Sequence, residues 1–192
     1  MATVAELWRY PVKSMRGERL PETPVVMTGI PGDRVRALRR ADRLVTARRD
    51  RSLLNQPASL YGDLGYEVVE DARGIFDVHP LLLVGMASVA KLAEIARREV
   101  DHRRFRANVY LEGLAADEER RWPGRRLRVG SAVLEAVEPC ERCVVATLHP
   151  DTLEAAPDLL HVIQVARGGM LGVYCRVVEP GYVVAGDVCE PV

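Results

Sequence analysis

Apolar and polar residues alternate along the first ten positions of the chain, where Val4, Leu7, Trp8 and Tyr10 are the larger apolar members. A period of two is typical of a β-strand, and Pro11 ends the strand because it has no amide hydrogen to donate. Turn-forming residues divide much of the remaining chain into short apolar runs. From these runs we predict strands at 25–27, 44–46, 66–69, 108–112, 127–129, 132–137, 144–148, 172–178 and 182–184, and a buried apolar run at 81–84.

A helical period is clear in one segment only, from Ser88 to about Val100. Val89 and Leu92 belong to its apolar face, and Ser88 is expected to cap its first turn. A shorter helix is expected near 159–165. Many short strands with few helices predict a mainly β (α+β) fold, in which a β-barrel carries minor helices.

The composition, with 48% hydrophobic and 28% charged residues, is that of an ordinary globular protein. No apolar run approaches the roughly 20 residues that span a bilayer. The N-terminal segment contains charged residues where a secretory signal has an uninterrupted apolar region. We therefore expect a cytoplasmic protein without a membrane partner. In a reducing compartment its cysteines are expected to be free thiols or metal ligands: Cys140, Cys143, Cys175 and Cys189.

Charge is unevenly distributed, although the net charge is zero. Residues 1–53 carry 12 lysines and arginines against 6 aspartates and glutamates, which favours a negatively charged ligand; a solvated arginine-rich face is the alternative. Few aromatic residues and no nucleic-acid motif argue against nucleic acid. Only two of the 27 basic residues are lysines, so Lys13 is a candidate for a site that needs a compact ammonium. Asparagine is also scarce in the chain, which makes Asn108 a second candidate site residue.

Segment 138–145 (EPCERCVV) places two thiols, a guanidinium and a carboxylate before an apolar run. An arginine beside a cysteine favours the thiolate, which binds metals or acts as a nucleophile. Four interpretations stay open on these residues: a zinc site, a thioredoxin-like redox pair, one soft thiolate for a metal or its cofactor, and two ordinary cysteines. The first two fit less well, because His149 and His161 give no common zinc-finger spacing and a β-branched run, rather than a helix, follows the pair.

Seven short motifs in a fixed order give the chain a resemblance to a known family. They are Tyr10-Pro11-Val12-Lys13-Ser14, Asp33-Arg34, Leu44-Val45-Thr46-Ala47-Arg48, Phe105-Arg106-Ala107-Asn108, Arg142-Cys143, Gly172-Val173-Tyr174, and Glu179-Pro180-Gly181 with Val184-Ala185-Gly186-Asp187. Through them the chain resembles the MOSC family (molybdenum cofactor sulfurase C-terminal), in the branch that includes the mitochondrial amidoxime-reducing component. The resemblance implies a MOSC-type β-barrel, with a shortened MOSC N-terminal-like β-barrel subdomain at 1–78 and a MOSC domain at 79–192.

The resemblance also implies a molybdenum cofactor, Mo-molybdopterin, with Cys143 as the metal ligand and catalytic residue. Cys140 is the less suitable thiol. The implied cofactor contacts are Lys13 and Ser14 at the pterin or its phosphate, Arg34 at the phosphate, Arg106 and Asn108 along the pterin, and Arg142 and Tyr174 around the metal. Residue chemistry agrees, because a phosphate suits an arginine fork with a lysine, and a pterin edge suits an amide.

The chain departs from the family pattern in the substrate region. Glu141 replaces a small polar residue, and its carboxylate would be repelled by an anionic centre unless it turned outward or paired with Arg142. Valines and an alanine follow Cys143 where relatives have a threonine pair, and the stretch from Ser14 to Phe105 is shorter than in larger members.

The function expected from the resemblance is reduction of N-hydroxylated or related N–O or S–O small-molecule substrates. The sequence has no cysteine cluster for an iron–sulfur centre and no nucleotide-binding fingerprint, so a separate electron donor, ferredoxin-like or cytochrome-type, is expected. The alternative is a carrier that transfers the cofactor, or sulfur as a persulfide, without reductase activity. A third reading is a domain that folds but binds nothing.

Overall fold

The computed structural model describes residues 1–192 and is mainly β, as the alternating patterns predict. Its strands are β1 (Ala2–Arg9), β2 (Glu18–Leu20), β3 (Glu22–Val25), β4 (Arg36–Arg40), β5 (Arg43–Val45), β6 (Glu67–Glu70), β7 (Leu81–Gly85), β8 (Val109–Glu112), β9 (Arg126–Val129), β10 (Ala132–Glu141), β11 (Met170–Glu179), β12 (Gly181–Val184) and β13 (Val188–Pro191). The α-helices are α1 (Met86–Ala96) and α2 (Pro157–Arg167). Short 3-10 helices lie at Arg51–Asn55, Ala58–Leu64, His102–Phe105, Glu118–Arg121 and Val144–Thr147.

Seven of the strands close into a barrel, which confirms the predicted architecture. The order around it is β1, β8, β7, β11, β10, β9 and β13, and β13 pairs with β1 to close it. Neighbouring strands are antiparallel except β7 and β8, which are parallel and are joined through α1, since parallel strands need a crossover connection. Leu7, Leu83 and Leu134 are fully buried in the barrel core.

Two smaller sheets and both α-helices lie outside the barrel. β4 is the middle strand of a sheet with β5 and β6, and this sheet packs on a small core that includes Val12 and Leu38. The helices α1 and α2 cover a larger core around Phe105 and Tyr110. β1 pairs with β8 and β13, so strands from both sides of residue 78 share the barrel. No helix has the length and hydrophobicity needed to cross a bilayer.

The predicted helix is real, but its start and its cap are wrong. It begins at Met86 rather than Ser88, follows β7 directly and ends at Ala96. Ser88 is buried inside the helix, where its hydroxyl donates to Glu119 at 2.8 Å. Capping residues are therefore a poor guide here, because the serine is used for a tertiary contact.

Segment 144–148, predicted as a strand, is instead a 3-10 helix with a following extended residue. Strand β10 continues to Glu141, well beyond its predicted end, and the chain turns at Cys143. The hydroxyl of Thr147 donates to the carbonyl of Val144 and stabilises this turn. The result is that Cys143 stands at the start of a helical turn, outside the sheet.

Three strands were not predicted, and β4 shows why. Its sequence is rich in arginine, and only Ala37 and Leu38 are buried. Arg36 and Arg39 pair across the sheet with Glu70 and Glu67 of β6. Cross-strand ion pairs can support a strand whose own hydrophobic pattern is too short to be recognised.

A buried carboxyl group joins α1 to the 3-10 helix Glu118–Arg121. Glu119 is fully buried and accepts hydrogen bonds from the hydroxyl of Ser88 and the amide of Gly85. Burial raises the pKa of Glu119 above its ordinary value of 4.5. A raised pKa means that the folded state binds this proton more tightly than the unfolded state does.

We therefore expect the stability that Glu119 contributes to fall as the pH rises above 4.5. Measured by urea unfolding, the free energy of unfolding of the wild type relative to Glu119→Gln should decrease from about pH 4 to about pH 7, because glutamine cannot ionise. The exposed Glu99→Gln is the control and should leave the pH profile of the wild type unchanged. A wild-type profile parallel to that of Glu119→Gln would contradict the expectation.

Candidate functional site

A cleft of about 940 Å³ lies between the barrel and the sheet formed by β4, β5 and β6. The ends of β10 and β11 and the segments that precede β7 and β8 form one wall, and β5 with the turn after it forms the other. Every site residue proposed from the sequence lines this cleft: Lys13, Ser14, Arg34, Arg106, Asn108, Arg142, Cys143 and Tyr174. Residues spread over most of the chain are thus brought together at one place.

The inner end of the cleft is built around a buried ion pair. Arg34 pairs with Asp33, whose carboxylate also accepts the amide of Tyr10 at 2.7 Å. The guanidinium of Arg34 donates to the carbonyl of Arg106 at 3.0 Å and to the side chain of Asn108 at 3.3 Å. Its position is therefore fixed from several directions.

Arg34 and Arg106 both stack on the ring of Tyr10, with guanidinium carbons 4.7 and 4.3 Å from its centroid. Tyr10 is fully buried, which raises its pKa to about 12, so the ring stays neutral. The Arg106 side chain donates no hydrogen bond within the protein, and its Nη2 atom is buried without a partner. Burial lowers the pKa of Arg106 to about 10, which still leaves it charged at neutral pH.

Asn108 serves the scaffold directly. It is buried, its Oδ1 accepts the amide of Leu82 in β7 at 3.2 Å, and its Nδ2 donates to the carbonyl of Trp8 in β1 at 3.3 Å. Together with its contact to Arg34, this uses most of the amide group's bonding capacity. Asn108 therefore ties two strands to the arginine beside it.

Lys13 points into the cleft beside an acid that sequence reasoning missed. Its ammonium pairs with Asp77 at 2.8 Å and donates to the carbonyl of Ile75 at 3.1 Å. Burial opposes ionisation of Asp77, but the hydrogen bond from Lys13 and the charges of Arg34 and Arg48 lower its pKa. No sequence signal identifies Asp77, because the contact joins segments that are distant in the chain.

The two cysteines of segment 138–145 have different surroundings. Cys143 is half-buried and follows the end of β10, whereas Cys140 is buried within the strand. Arg48, another residue missed as a site candidate, lies beside the Cys143 thiol in the cleft, and this neighbour raises the pKa of Arg48. Cys143 is therefore the more exposed of the two thiols and the one with a guanidinium beside it.

Arg142 turns away from Cys143 towards the interior. One Nη atom lies 2.9 Å from the Cys140 sulfur and the other donates to the carbonyl of Phe105 at 2.8 Å. Burial and the neighbouring Cys140 raise the pKa of Tyr174. Cys140 is thus buried and engaged with Arg142, whereas Cys143 is the more exposed thiol of the cleft.

Glu141, the main departure from the family pattern, is exposed and does not pair with Arg142. It is nevertheless a lining residue of the cleft. A second carboxylate at the cleft, Glu138, lies 3.2 Å from the imidazole of His79. Neither carboxylate is directed into the group of cations at the inner end of the cleft.

Three of the site residues have an unusual backbone. Ser14, Arg34 and Arg106 adopt positive φ angles of 69°, 51° and 53°. Residues other than glycine rarely adopt this conformation, and it is tolerated mainly where the surroundings enforce it, often at functional sites. The sequence gives no warning of it, since none of these positions holds a glycine or an asparagine.

The donors of the cleft fit a phosphorylated, anionic ligand. Arg106 Nη2 and Arg142 Nε are buried nitrogen atoms without partners, and Arg34, Lys13 and Arg106 provide guanidinium and ammonium groups on one side of the cleft. Buried donors normally have a partner, so unpaired ones that line a cleft indicate a ligand that supplies acceptors. A soft thiol, Cys143, lines the same cleft.

Two family models match the chain. The MOSC domain matches residues 71–190, and the MOSC N-terminal beta barrel domain matches residues 1–63. Among curated relatives, the mitochondrial amidoxime-reducing component 1 of Homo sapiens is 33% identical over 83 residues, which are 43% of this chain and 24% of the relative. The mitochondrial amidoxime reducing component 2 of Bos taurus is 32% identical over 76 residues, 40% of this chain and 22% of the relative. The matched region therefore spans about a quarter of the length of these relatives.

Solved structures share the fold at low sequence identity. The YUAD protein of Bacillus subtilis superposes with a TM-score of 0.63 at 18% identity, over 97% of this chain and 92% of that one. YiiM of Geobacillus stearothermophilus gives a TM-score of 0.59 at 14% identity, over 100% of this chain and 75% of that one. The barrel and its surrounding sheets are thus a known arrangement.

Loss of the acid that fixes Arg34 should destabilise the protein strongly. Asp33→Ala leaves a part-buried arginine unpaired and an amide without its acceptor, so we expect the free energy of unfolding to fall by about 3–5 kcal/mol. Asp63→Ala, which removes an exposed and unpaired carboxylate, is the control and should change it by less than about 0.5 kcal/mol. Urea unfolding of both variants measures the difference, and equal effects would refute the role assigned to Asp33.

Proposed function

The chain belongs to the MOSC domain family, and we propose that it binds a molybdenum cofactor through Cys143 and reduces N-hydroxylated or related N–O or S–O substrates. One observation supports this above the others: a half-exposed thiol with an adjacent arginine shares a cleft with a group of basic side chains whose chemistry suits a phosphate. The names of two relatives indicate amidoxime reduction, but they describe proteins that this chain matches over about a quarter of their length.

The proposed contacts follow from the donors in the cleft. Lys13, Ser14 and Arg34 hold the phosphate end, because an ammonium and a guanidinium together match a dianion. Arg106 lies along the pterin with its unpaired Nη2 as a donor. Cys143 provides the thiolate ligand, in keeping with the preference of soft metals for sulfur.

The remaining residues position these groups. Asn108 and Asp33 fix Arg34, Asp77 fixes Lys13, and Cys140 fixes Arg142. When bound, the cofactor supplies two-electron removal of an oxygen atom from the substrate. The reaction is balanced by two electrons and two protons for each N–O bond cleaved, with water and the reduced nitrogen compound as products. The electrons come from a separate ferredoxin-like or cytochrome-type protein.

The carrier function considered from the sequence has no feature of the cleft in its favour. A carrier must release its cargo, whereas the fixed side chains and paired arginines of this cleft suit a ligand that stays bound. The test is to purify the protein from a host that makes the cofactor, measure its molybdenum content, and assay benzamidoxime reduction with reduced methyl viologen. The presence of cofactor without reduction would favour the carrier, and absence of molybdenum would refute both the reductase and a carrier of the cofactor.

Replacing each cysteine in turn should show which thiol is the metal ligand and which one supports the fold. Cys143→Ser should lower the molybdenum content at least about tenfold, because an alcohol is a far poorer ligand than a thiolate for a soft metal. Cys140→Ser keeps a hydrogen-bond acceptor for Arg142 and should retain most of the metal. Elemental analysis and circular dichroism of both variants provide the measurement; equal metal content would contradict the assignment of Cys143.

Arg106→Gln should weaken cofactor retention with little effect on the stability of the protein. The side chain has no hydrogen bond to lose, and the loss of its stacking on Tyr10 is offset because removal relieves the burial of an unpaired charge, so the free energy of unfolding should change by less than about 1 kcal/mol. Arg97→Gln is the matched control, since Arg97 also has a positive φ but is exposed. Pterin fluorescence after dialysis should decrease for Arg106→Gln alone. Retention equal to that of the control would count against the contact.

A further inference from the structure

The mouth of the cleft carries arginines that the proposed cofactor contacts do not use. Arg43, Arg48 and Arg49 line it from β5 and the turn that follows, and we call them the rim arginines. All three are exposed. Arg43 has only Asp42 nearby, at 3.9 Å, and Arg49 donates to a backbone carbonyl, whereas Arg48 lies beside the Cys143 thiol with Asp77 and Glu141 nearby. Arg43 and Arg49 therefore keep most of their positive charge available at the surface.

The rim arginines belong to a wider charge asymmetry. Residues 40–51 contain five arginines and two aspartates, whereas the whole chain has equal numbers of basic and acidic residues. An excess of acidic groups elsewhere must therefore balance this segment. Such a separation of charge steers an approaching molecule of negative charge to the mouth of the cleft and orients it there.

Exposed apolar side chains accompany this charge. Val78, which lines the cleft, is 54% exposed, and Val144, which directly follows Cys143, is 49% exposed. Apolar surface together with arginine is typical of protein–protein contacts, in which arginine is enriched and the centre is dry. A site for a small anion alone would not need the two valines.

We propose that the rim arginines, Val78 and Val144 form the docking surface for an acidic electron-carrier protein. This inference rests on the proposed function, which requires two electrons from a separate donor. Cys143 is half-exposed at the same mouth, so a carrier docked there brings its redox centre close to the thiol end of the cleft. Two reduced one-electron carriers are oxidised for each substrate reduced, and two protons taken from water complete the cleavage of the N–O bond.

Charge-reversed variants test the docking surface through the binding of carrier proteins alone, without measuring catalytic turnover. Arg43→Glu/Arg49→Glu is compared with Arg126→Glu/Arg128→Glu, which makes the same charge change at exposed positions on β9, beside the other end of β10. The probes are an acidic [2Fe–2S] ferredoxin and an acidic b-type cytochrome. At about 20 mM salt the rim variant should bind at least one of them about tenfold more weakly than the wild type, and the control within about twofold.

Turnover provides a second measurement. With the bound carrier as donor, the kcat/KM of the rim variant should fall about tenfold, whereas with reduced methyl viologen, a cation, it should not fall. Failure of both carriers to bind, equal losses in the rim and control variants, or a loss with methyl viologen as well would overturn the docking surface. A wild type inactive with methyl viologen would refute the proposed function instead, and the binding comparison would still decide the surface.

Discussion

The buried pairing of Asp33 with Arg34 is the interaction on which the geometry of the cleft depends. Asp33 is tolerated in the interior because its carboxylate is shared between a guanidinium and the amide of Tyr10. The arginine in turn is held by the carbonyl of Arg106 and the side chain of Asn108. Strand β1, the loop before β8 and the turn at residue 34 are thereby fixed relative to one another. The cations are preorganised before any ligand arrives, so that binding needs little rearrangement.

Two kinds of sequence information allowed the mainly β fold and the grouping of the site residues in one cleft to be predicted. Strands such as β1 and β11 show their own hydrophobic pattern, whereas β4 depends on partners in β6 and shows none. Family resemblance, rather than pattern, brought Lys13 and Cys143 into one site. Neither source indicates Asp77, the contact of Arg48 with the thiol or the inward turn of Arg142. Each of these depends on where distant segments meet after folding.

The cleft contains two kinds of unfavourable local feature. Arg106 and Arg142 each have a buried nitrogen without a partner, and three positions hold a side chain in a left-handed backbone conformation. Both kinds also occur outside the cleft, for example at the unpaired Nε atoms of Arg104 and Arg167 and at the left-handed Leu153. In the cleft, however, a bound ligand can supply the acceptors that the nitrogens of Arg106 and Arg142 lack.

Closure of the barrel by β13 against β1 has a consequence for how the protein is made. β1 precedes its partner β8 by about a hundred residues, and the part of its other edge that β2 does not cover stays open until residues 188 and 189 are made. Long-range pairings of this kind slow folding, and an open strand edge can pair with another chain. Until β13 is made, the nascent chain therefore carries an open strand edge, and a premature stop that removes β13 leaves that edge prone to aggregation.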